Sequence, residues 1–473
     1  MSNAFRPAGP AHAAIAGHRF GLGEPELSRV GSDPLAWLLA QVGPADPQLD
    51  AQGQARPGLA QALRIQVDAR RSRDEAERKA LRDLAQADLR ARLATALRSQ
   101  RPFAERLALF WANHFSVSNL KGSSQGLVGA FEREAIRPHI GGRFAVLLRA
   151  AATHPTMLRY LDNQASAGAQ SPAVLRQRRR TQAEGAGPGA MAEAATPPRL
   201  GGLNENLGRE LLELHTLGVA GGGGAYGPWG GYSQADVQAL ANLLTGGRGP
   251  RQDGGGDLFD PQLHQPGAKQ LLGRRYVEGR DGLLAALDDL AAHPATARHL
   301  ATKLARHLLA DQPPPALVAR MADRFTASGG ELMVLYQTLL EAPEAWQAGA
   351  QKLKTPEEFV LSAGRVLALP ASALLRAPDA GLTALGQRPQ AATSAAGWAD
   401  TAADWLGPEA LWQRLNWSER VASRMGTRLD ARALAETSLG PQLGEHSRQQ
   451  IGRAADGPQA MALLLMSPEF QRR

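Results

Sequence analysis

The strongest constraint on the fold of this chain comes from residues 201–218, because their leucines repeat with the period of an α-helix. The leucines recur at steps of four, four and three, at Leu203, Leu207, Leu211 and Leu214. This spacing places them on one face of a helix, which we expect to be buried. Asn204 is suited to begin such a helix and Gly218 to end it. The segment therefore predicts a helix of about three to four turns with one apolar face.

The rest of this predicted helix is unusually polar. Glu205, Arg209 and Glu213 lie at positions i, i+4 and i+8, and Asn206 and Glu210 form a second row beside them. Carboxylates, amides and a guanidinium so close together are typical of a functional site. They are equally typical of a buried structural network of ion pairs, and the spacing leaves both interpretations open.

The composition predicts a mostly α fold. Aromatic residues make up 5% of the 473 residues, whereas Ala, Leu and Arg dominate, and this favours helix over sheet. A chain of this length forms two or three domains or one large composite helical domain. We predict the latter, a multi-helical domain with long glycine-rich loops and at most a minor β-ribbon near Gly273 to Val277.

Changes in composition along the chain divide it into three parts. Residues 1–167 are predicted as an N-terminal helical part, with a long charged helix from Leu59 to Arg101 and a buried helix from Phe103 to Phe115. Residues 168–202 show no clear period and are predicted as a flexible excursion. Residues 203–473 are predicted as a C-terminal helical part, with a helix from Ser233 to Leu244 between two glycine-rich loops. These loops lack a Gly-Lys-Ser/Thr step, so we interpret them as flexible connections and not as phosphate-binding loops.

The charge and the absence of cysteine exclude several functional classes. A net charge of +8 is mild for this length, so nucleic acid is not the expected partner, although Arg176 to Arg180 hold four arginines in five residues. Without cysteine the chain has no disulfides, thiolate metal sites or cysteine nucleophiles. No segment approaches the ~20 apolar residues that cross a bilayer, and no signal-peptide pattern is visible. We therefore expect no membrane span and, for the chain as written, a cytoplasmic location.

Other polar residues are candidates for a site. Asn113 and His114 end the buried helix, where they are explained by a cap or a satisfied core histidine, or by a role in a site. Asp162 and Asn163 fit a turn after another helix, or a pocket in which their oxygen atoms bind a hard cation or a polar substrate. A further histidine and lysine pattern, His299, Lys303 and His307 at i, i+4 and i+8, is interpreted as a solvated basic face. Its two histidines are too far apart along a helix to share one metal.

Several motifs in this order resemble the bacterial family known as domain of unknown function 1800. The matching segments are His18 to Gly23, Phe110 to Phe115, Tyr160 to Asn163, Asn204 to Gly218, Gly231 to Val237, Leu244 to Gly246, Leu263 to Gly267, Lys354 to Phe359, Ala396 to Trp398 and Ser467 to Arg473. The resemblance implies no assigned activity. It does imply a companion protein similar to alkaline phosphatases or sulfatases, and a location in the cell envelope or periplasm, as an alternative to the cytoplasm. The chain has Gln265 where the family often has an acid, which weakens a metal-ligand role for His264.

Three hypotheses for function follow. The first is an accessory or binding protein that acts with the phosphatase- or sulfatase-like companion. The second is a helical enzyme with an oxygen-rich hydrolytic site, for which a divalent metal is the candidate cofactor. Its catalytic candidates are Glu205, Arg209, Glu210 and His114, and its ligand-binding candidates are Asn113, Asp162, Asn163, Asn204, Asn206 and Glu213. The third is polyanion or nucleic-acid binding through Arg176 to Arg180.

Overall fold

Proline and capping side chains determine where many of the helices begin. Proline often stands in the first turn, where its missing N–H leaves no hydrogen bond unmade and its fixed φ suits the helix. Thr355, directly before Pro356, accepts a hydrogen bond from the backbone of Glu358, and the Glu358 side chain accepts one from the backbone of Thr355. Ser233 and Asp236 form the same reciprocal cap. The predicted start of the helix at residue 233 is therefore confirmed.

The computed structural model describes residues 5–72, 74–184, 202–218, 231–248, 258–349, 351–377 and 379–473. The helices before residue 185 are α1 (Pro10–Ile15), α2 (Pro34–Leu39), α3 (Leu59–Arg71), α4 (Glu75–Arg98), α5 (Pro102–His114), α6 (Val128–Phe131), α7 (Phe144–Thr153), α8 (Pro155–Tyr160) and α9 (Pro172–Glu184). The π-helical segments Ala16–Phe20 and Glu132–Ile136 continue α1 and α6.

The second half of the chain is also helical. Its helices are α10 (Asn206–Glu210), α11 (Gln234–Leu244), α12 (Arg280–Ala292), α13 (Pro294–Leu308), α14 (Pro315–Ala327), α15 (Leu332–Leu340), α16 (Pro356–Val366), α17 (Ala371–Leu374), α18 (Pro408–Met425), α19 (Ala431–Ser438), α20 (Glu445–Gly452), α21 (Gly457–Met466) and α22 (Pro468–Gln471). Strands β1 (Lys269–Leu271) and β2 (Arg274–Tyr276) pair antiparallel. Leu272 and Gly273 join them with φ values of 49° and 75°, as a tight hairpin requires. The predicted mostly α fold with a minor ribbon is confirmed.

Two predictions about helices in the first half are wrong. The single charged helix predicted from Leu59 to Arg101 is two helices, α3 and α4, because Asp74 caps the start of α4 and accepts a hydrogen bond from the N–H of Ala76. The excursion predicted for residues 168–202 contains the regular helix α9. Residues 185–201 of that excursion, and most of the two glycine-rich loops, lie outside the described residues.

The segment with the leucine repeat is helical, but not as one regular α-helix. The π-helical turn Leu211–His215 follows α10 directly. Its buried side chains are Leu207, Leu211, Leu212 and His215, whereas Leu203 and Leu214 are partly exposed. The wider π turn accommodates an extra residue, and this changes which side chains face the core. Gly218 follows with a φ of 87°, in agreement with the predicted helix end.

Two large groups of buried side chains stabilise the fold. The first combines residues of α5, α7 and α11–α15, and thus contains residues from both sides of the segment 168–202. The second combines residues of α16, α18, α19 and α21 with part of α4. The division into an N-terminal and a C-terminal part stays a prediction. Within the described ranges, no helix has both the length and the apolarity to cross a lipid bilayer.

Candidate functional site

A polar cavity of about 240 Å³ lies where α5, α13 and α16 meet. Apolar side chains such as Phe110, Val117 and Phe131 form part of its wall. The remaining wall contains acidic, basic and histidine side chains together with the loop of residues 387–401. Charged groups that are removed from water in this way must be paired or must meet a ligand, because an isolated buried charge is costly.

Glu358 is the centre of the buried charges. Its carboxylate accepts hydrogen bonds from Arg473, at 3.2 Å from Nε and 2.7 Å from Nη2, from Arg106, and from the N–H of Thr355 at 3.0 Å. Burial alone would raise the pKa of Glu358, but Arg473 and Arg106 hold the pKa below its usual range. Glu358 is therefore an ionised structural anchor that joins the start of α16 to α5.

Beside this anchor, His307 and Asp400 form a dyad. His307 Nδ1 lies 2.9 Å from Asp400 Oδ2, and His307 Nε2 lies 3.7 Å from Glu358 Oε1 without forming a hydrogen bond. Burial lowers the pKa of His307, although Asp400 acts in the opposite direction. The imidazole is therefore neutral near pH 7, with its proton on Nδ1 where the carboxylate accepts it. In this tautomer Nε2 is unprotonated and has no hydrogen-bond partner in the described residues, so it can accept a proton, as a general base must.

Lys303 and Arg306 bring positive charge to the same cavity from α13. Within the described residues, Lys303 forms no hydrogen bond or ion pair, and Arg306 has no carboxylate partner. Burial lowers the pKa of Lys303 to about 8, although Asp400 opposes this shift, and Arg306 adds to it. The cavity thus contains two cationic groups that no carboxylate neutralises directly, so its chemistry suits an anionic ligand.

The other carboxylates of the cavity are occupied. Glu357 pairs with Arg92, whose Nε lies 3.2 Å from Glu132 Oε2. Glu132 also accepts a hydrogen bond of 3.0 Å from the side chain of Gln390. These contacts tie the loop 387–401 to α4 and to the π-helical segment Glu132–Ile136, and they leave these carboxylates no free role as bases.

Asn113, predicted as a ligand-binding residue, positions this loop. Its Nδ2 donates to the carbonyl of Trp398 at 2.9 Å, and its Oδ1 accepts from the N–H of Trp398 at 2.8 Å. Gly397 has a φ of 80°, and a Cβ there would lie 2.6 Å from Asn113 Oδ1. The loop that carries Asp400 is therefore held in register by a paired amide contact that requires glycine next to it.

His114, predicted as catalytic, lines the cavity and is buried. Its Nε2 lies 3.2 Å from the carbonyl of His215, whereas its Nδ1 is buried without a hydrogen-bond partner in the described chain. Burial, together with the charge of Lys303, lowers the pKa of His114 well below its usual range. His114 is thus a neutral polar group of the cavity wall, and its role as a catalytic residue stays a prediction.

A second, more open cavity of about 430 Å³ borders the same loop at residues 392–395. Asn206 and Glu210, both predicted site residues, line it together with Tyr160 and Lys121. In the described chain the Glu210 carboxyl makes no hydrogen bond, and burial and then Glu213 raise its pKa. The surroundings of Glu210 therefore disfavour the charged form of its carboxyl group.

The remaining predicted site residues lie outside both cavities. Glu205 and Arg209 form an ion pair of 3.2 Å, with 27% and 43% of their side chains exposed, and both contact Gln234. Asp162 pairs with Lys121 at 2.5 Å.

Two of the predicted residues have structural contacts. The Oδ1 of Asn204 accepts from the N–H of Asn206 at 2.9 Å, which places Asn204 at the helix start as predicted. Asn163 is buried and donates to the carbonyl of Leu244 at 3.0 Å. The structure thus distributes the predicted set over two cavities and the surface. The catalytic and binding roles of these residues stay predictions.

The interpretation of α13 as a solvated basic face is wrong. Lys303 and His307 line the cavity, and 12% of the His307 side chain is exposed. His299 Nε2 lies 3.0 Å from the carbonyl of Leu214. The spacing identified one face of the helix correctly, but a sequence does not show whether such a face meets solvent or another helix. The sequence analysis also missed Glu358 and Asp400, because the sequence does not show which side chains tertiary contacts bring to the cavity. Glu358 lies in the family motif Lys354 to Phe359, and Asp400 lies just after Trp398.

No group of three or more His, Asp or Glu side chains in the described ranges is placed to hold a metal ion. His264 has both ring nitrogens in protein contacts: Nδ1 lies 2.8 Å from the carbonyl of Thr245, and Nε2 accepts from the N–H of Gly279 at 2.9 Å.

The fold and the site define a mostly α-helical protein with an internal polar cavity that contains a histidine–carboxylate dyad and unneutralised cations. A family model described as "Protein of unknown function (DUF1800)" matches residues 16–472, nearly the whole chain. The chain belongs to this family, as the sequence motifs predicted. Comparisons with curated proteins and with solved structures found no match.

Proposed function

We propose that the protein binds a small anionic molecule in the cavity between α5, α13 and α16 and transfers a proton to or from it through His307. The observation that carries this proposal is the dyad: Asp400 fixes Nδ1 of a neutral, buried imidazole, and Nε2 is left without a partner beside two unneutralised cations. This proposal keeps the hypothesis of a helical enzyme but replaces its residues.

Each group has a distinct role in this proposal. Lys303 and Arg306 attract and orient the anionic group, because electrostatic attraction is stronger in a site shielded from water. His307 accepts or donates the proton at Nε2, and Asp400 stabilises the imidazolium when it forms. Asn113 positions Asp400 by holding the loop at Trp398. Hydrolysis of a small phosphate or sulfate ester is the reaction that we would test first, since a buried general base activates water for such a step.

Binding is tested by thermal unfolding with and without inorganic phosphate, sulfate or glycolate. We expect the wild type to be stabilised as the anion concentration rises, because an anion that binds only the folded state shifts the equilibrium. The double variant Lys303→Met/Arg306→Met should lose this effect. The matched control is Arg209→Met, which removes a guanidinium from the surface pair and should keep the full effect. Equal stabilisation of the double variant and the wild type would contradict the proposed anion site.

Catalysis is tested with a panel of phosphate and sulfate monoesters small enough for the cavity. His307→Gln should keep anion-dependent stabilisation but lose turnover, because it retains a polar side chain and cannot exchange a proton. If Glu210→Gln abolishes turnover and His307→Gln does not, the site lies in the second cavity and the present assignment fails.

A second candidate function is the accessory role beside a phosphatase- or sulfatase-like companion. It is favoured by an exposed apolar surface at α18, formed by Leu406, Leu411, Trp412 and Leu415. Exposed apolar groups clustered on one helix are typical of contacts with another protein. Co-expression with the neighbouring companion should give a complex that Trp412→Glu weakens, and cell fractionation of the pair would distinguish cytoplasm from envelope. A complex unaffected by Trp412→Glu would remove this surface as its basis.

Binding of polyanions is a weaker candidate. The arginines of α9, at positions 176 and 178–180, are exposed, which an electrostatic contact with phosphates requires. Retention on heparin should then decrease steeply with salt and disappear when these four arginines are replaced by glutamine. Retention that does not depend on salt would exclude this role.

A further inference from the structure

Lysine is rare in this chain, and its positions are therefore informative. The sequence has 53 basic residues and only six of them are lysine, at 79, 121, 269, 303, 352 and 354. A surface cation can be either residue, but only lysine loses its proton readily when buried, because the guanidinium of arginine stays protonated. Lysine in a cavity thus offers a chemistry that the more frequent arginine cannot.

Five of the six lysines have polar partners in the described structure. These contacts are Lys79 with Asp83 at 2.6 Å, Lys121 with Asp162 at 2.5 Å, Lys269 with the carbonyl of Gln265, Lys352 with Asp311 at 2.7 Å, and Lys354 with Ser362 at 2.8 Å. Lys303 has no such partner among the described residues, although it lines a cavity that contains Asp400. Its amine is therefore free to meet a ligand.

The surroundings of Lys303 increase the fraction of its amine that is unprotonated, although the ammonium form still predominates at pH 7. Burial lowers its pKa to about 8, with Asp400 opposing the shift and Arg306 adding to it. The charge of Lys303 in turn lowers the pKa of His114, His215 and His299, each of which is already lowered by burial. These histidines are neutral at pH 7 and add no positive charge. The pKa of Lys303 is thus about two and a half units below the 10.5 of an ordinary lysine. At pH 7 the unprotonated fraction of Lys303 is therefore more than a hundredfold larger than that of an ordinary lysine.

We propose that Lys303 is a nucleophile that forms an imine with a small anionic aldehyde or ketone bound in this cavity. The proposal rests on the anion site proposed above, and it replaces the ester substrate considered there by an oxo acid or a comparable carbonyl anion. The two basic residues of α13 have different roles in this proposal: Arg306 binds the carboxylate of the ligand, and Lys303 attacks the carbonyl carbon.

The cavity contains the groups that this reaction needs. The neutral amine adds to the carbonyl carbon and the C=O π bond opens; the nitrogen then loses one proton while the oxygen takes up one, which gives a carbinolamine. Loss of a second proton from nitrogen, and of the hydroxyl as water, gives the imine, so that one water molecule leaves for each imine formed. His307 lies one helical turn after Lys303, on the same face of α13, and its unpaired Nε2 can carry these protons. Asp400 holds His307 in the tautomer that this requires.

The test uses the full-length wild-type protein with glyoxylate, the smallest oxo acid, and sodium cyanoborohydride, which reduces an imine to a stable amine. Peptide mass mapping then measures the adduct at each of the six lysines. We expect the adduct on Lys303 to exceed that on the exposed Lys79 at least about tenfold, as its larger unprotonated fraction requires. Glycolate, which has the same carboxylate but no carbonyl, should compete and lower the Lys303 adduct. Lys303→Arg should remove this adduct and leave that of Lys79 unchanged.

The outcomes separate this proposal from the proposed function. Labelling of Lys303 no stronger than that of Lys79 would overturn it. Stabilisation by glycolate without labelling of Lys303 would also overturn it, while the anion site would stand. Absence of both effects would refute the anion site itself. Because labelling is mapped in the wild type, the result does not depend on whether the Lys303→Arg variant folds.

Discussion

Replacing Glu358 by glutamine tests whether the buried charges around the cavity hold the fold together. The Glu358 side chain is 6% exposed and accepts hydrogen bonds from two buried arginines, Arg106 and Arg473, and from a backbone N–H. Glutamine has nearly the same shape but carries no charge, so both guanidinium groups would remain buried without their counter-ion. Breaking one partner of a buried pair costs about 3–5 kcal/mol. The folding equilibrium should thus shift by more than about a hundredfold. Urea unfolding at pH 7, followed by tryptophan fluorescence, measures this change.

The matched control is Glu205→Gln, the same substitution in the ion pair that the sequence pattern singled out. That pair is partly exposed, with 27% of the Glu205 and 43% of the Arg209 side chain accessible, so its loss should cost about 0–1 kcal/mol. The two variants therefore show directly which of the two charge clusters contributes more to the free energy of unfolding. If Glu205→Gln destabilises the protein as much as Glu358→Gln, the structural centre has been assigned to the wrong cluster. If Glu358→Gln leaves the unfolding midpoint unchanged, the network around the cavity is not structural.

Three further predictions concern pH and the loop. Burial, with a smaller contribution from a nearby lysine, lowers the pKa of His18 and His215 from 6.5 to about 3, so the folded state keeps both histidines neutral. Their contribution to the stability of the fold is therefore complete above pH 6.5 and is lost as the pH falls from 6.5 towards 3. Below pH 6.5, His215→Gln should therefore lower the slope of the unfolding free energy against pH by about 1.4 kcal/mol per pH unit. Urea unfolding between pH 5 and 7 measures this slope. An unchanged slope would show that His215 is not neutral in the folded protein. Asn113→Ala removes two hydrogen bonds to Trp398 and should lower the free energy of unfolding by about 1–3 kcal/mol. It should also make residues 394–401 cleavable in limited proteolysis. Full resistance to the protease would contradict the positioning role of Asn113. Gly397→Ala should have a similar effect on proteolysis, because at its φ of 80° the new Cβ would collide with Asn113. The control is Gly279→Ala: its φ is 86°, but a Cβ there would have no atom within 4 Å. This control separates the effect of the collision from that of backbone strain.

Local patterns in the sequence determined the elements of the fold. The cap at Ser233, the end at Gly218 and the ribbon around Leu272 depend on interactions between near neighbours, so residue types at short spacing predict them. The break between α3 and α4 was missed, although its cap at Asp74 is also local, because the alternation of charged and apolar residues continues on both sides of it. The π turn at Leu211–His215 was missed for a different reason: local spacing does not reveal one extra residue in a turn that tertiary packing selects.

The site depended on contacts that no local pattern contains. His307 meets Asp400 across 93 positions, and Arg106 meets Glu358 across 252. Whether a helix face with a histidine and a lysine meets solvent or a cavity depends on which other helices cover it. The sequence by itself thus determined the family, the helical elements and the group of polar residues from which a site could be built. Only the tertiary structure decided which of them are removed from water, and burial is what lowers the pKa of a lysine such as Lys303.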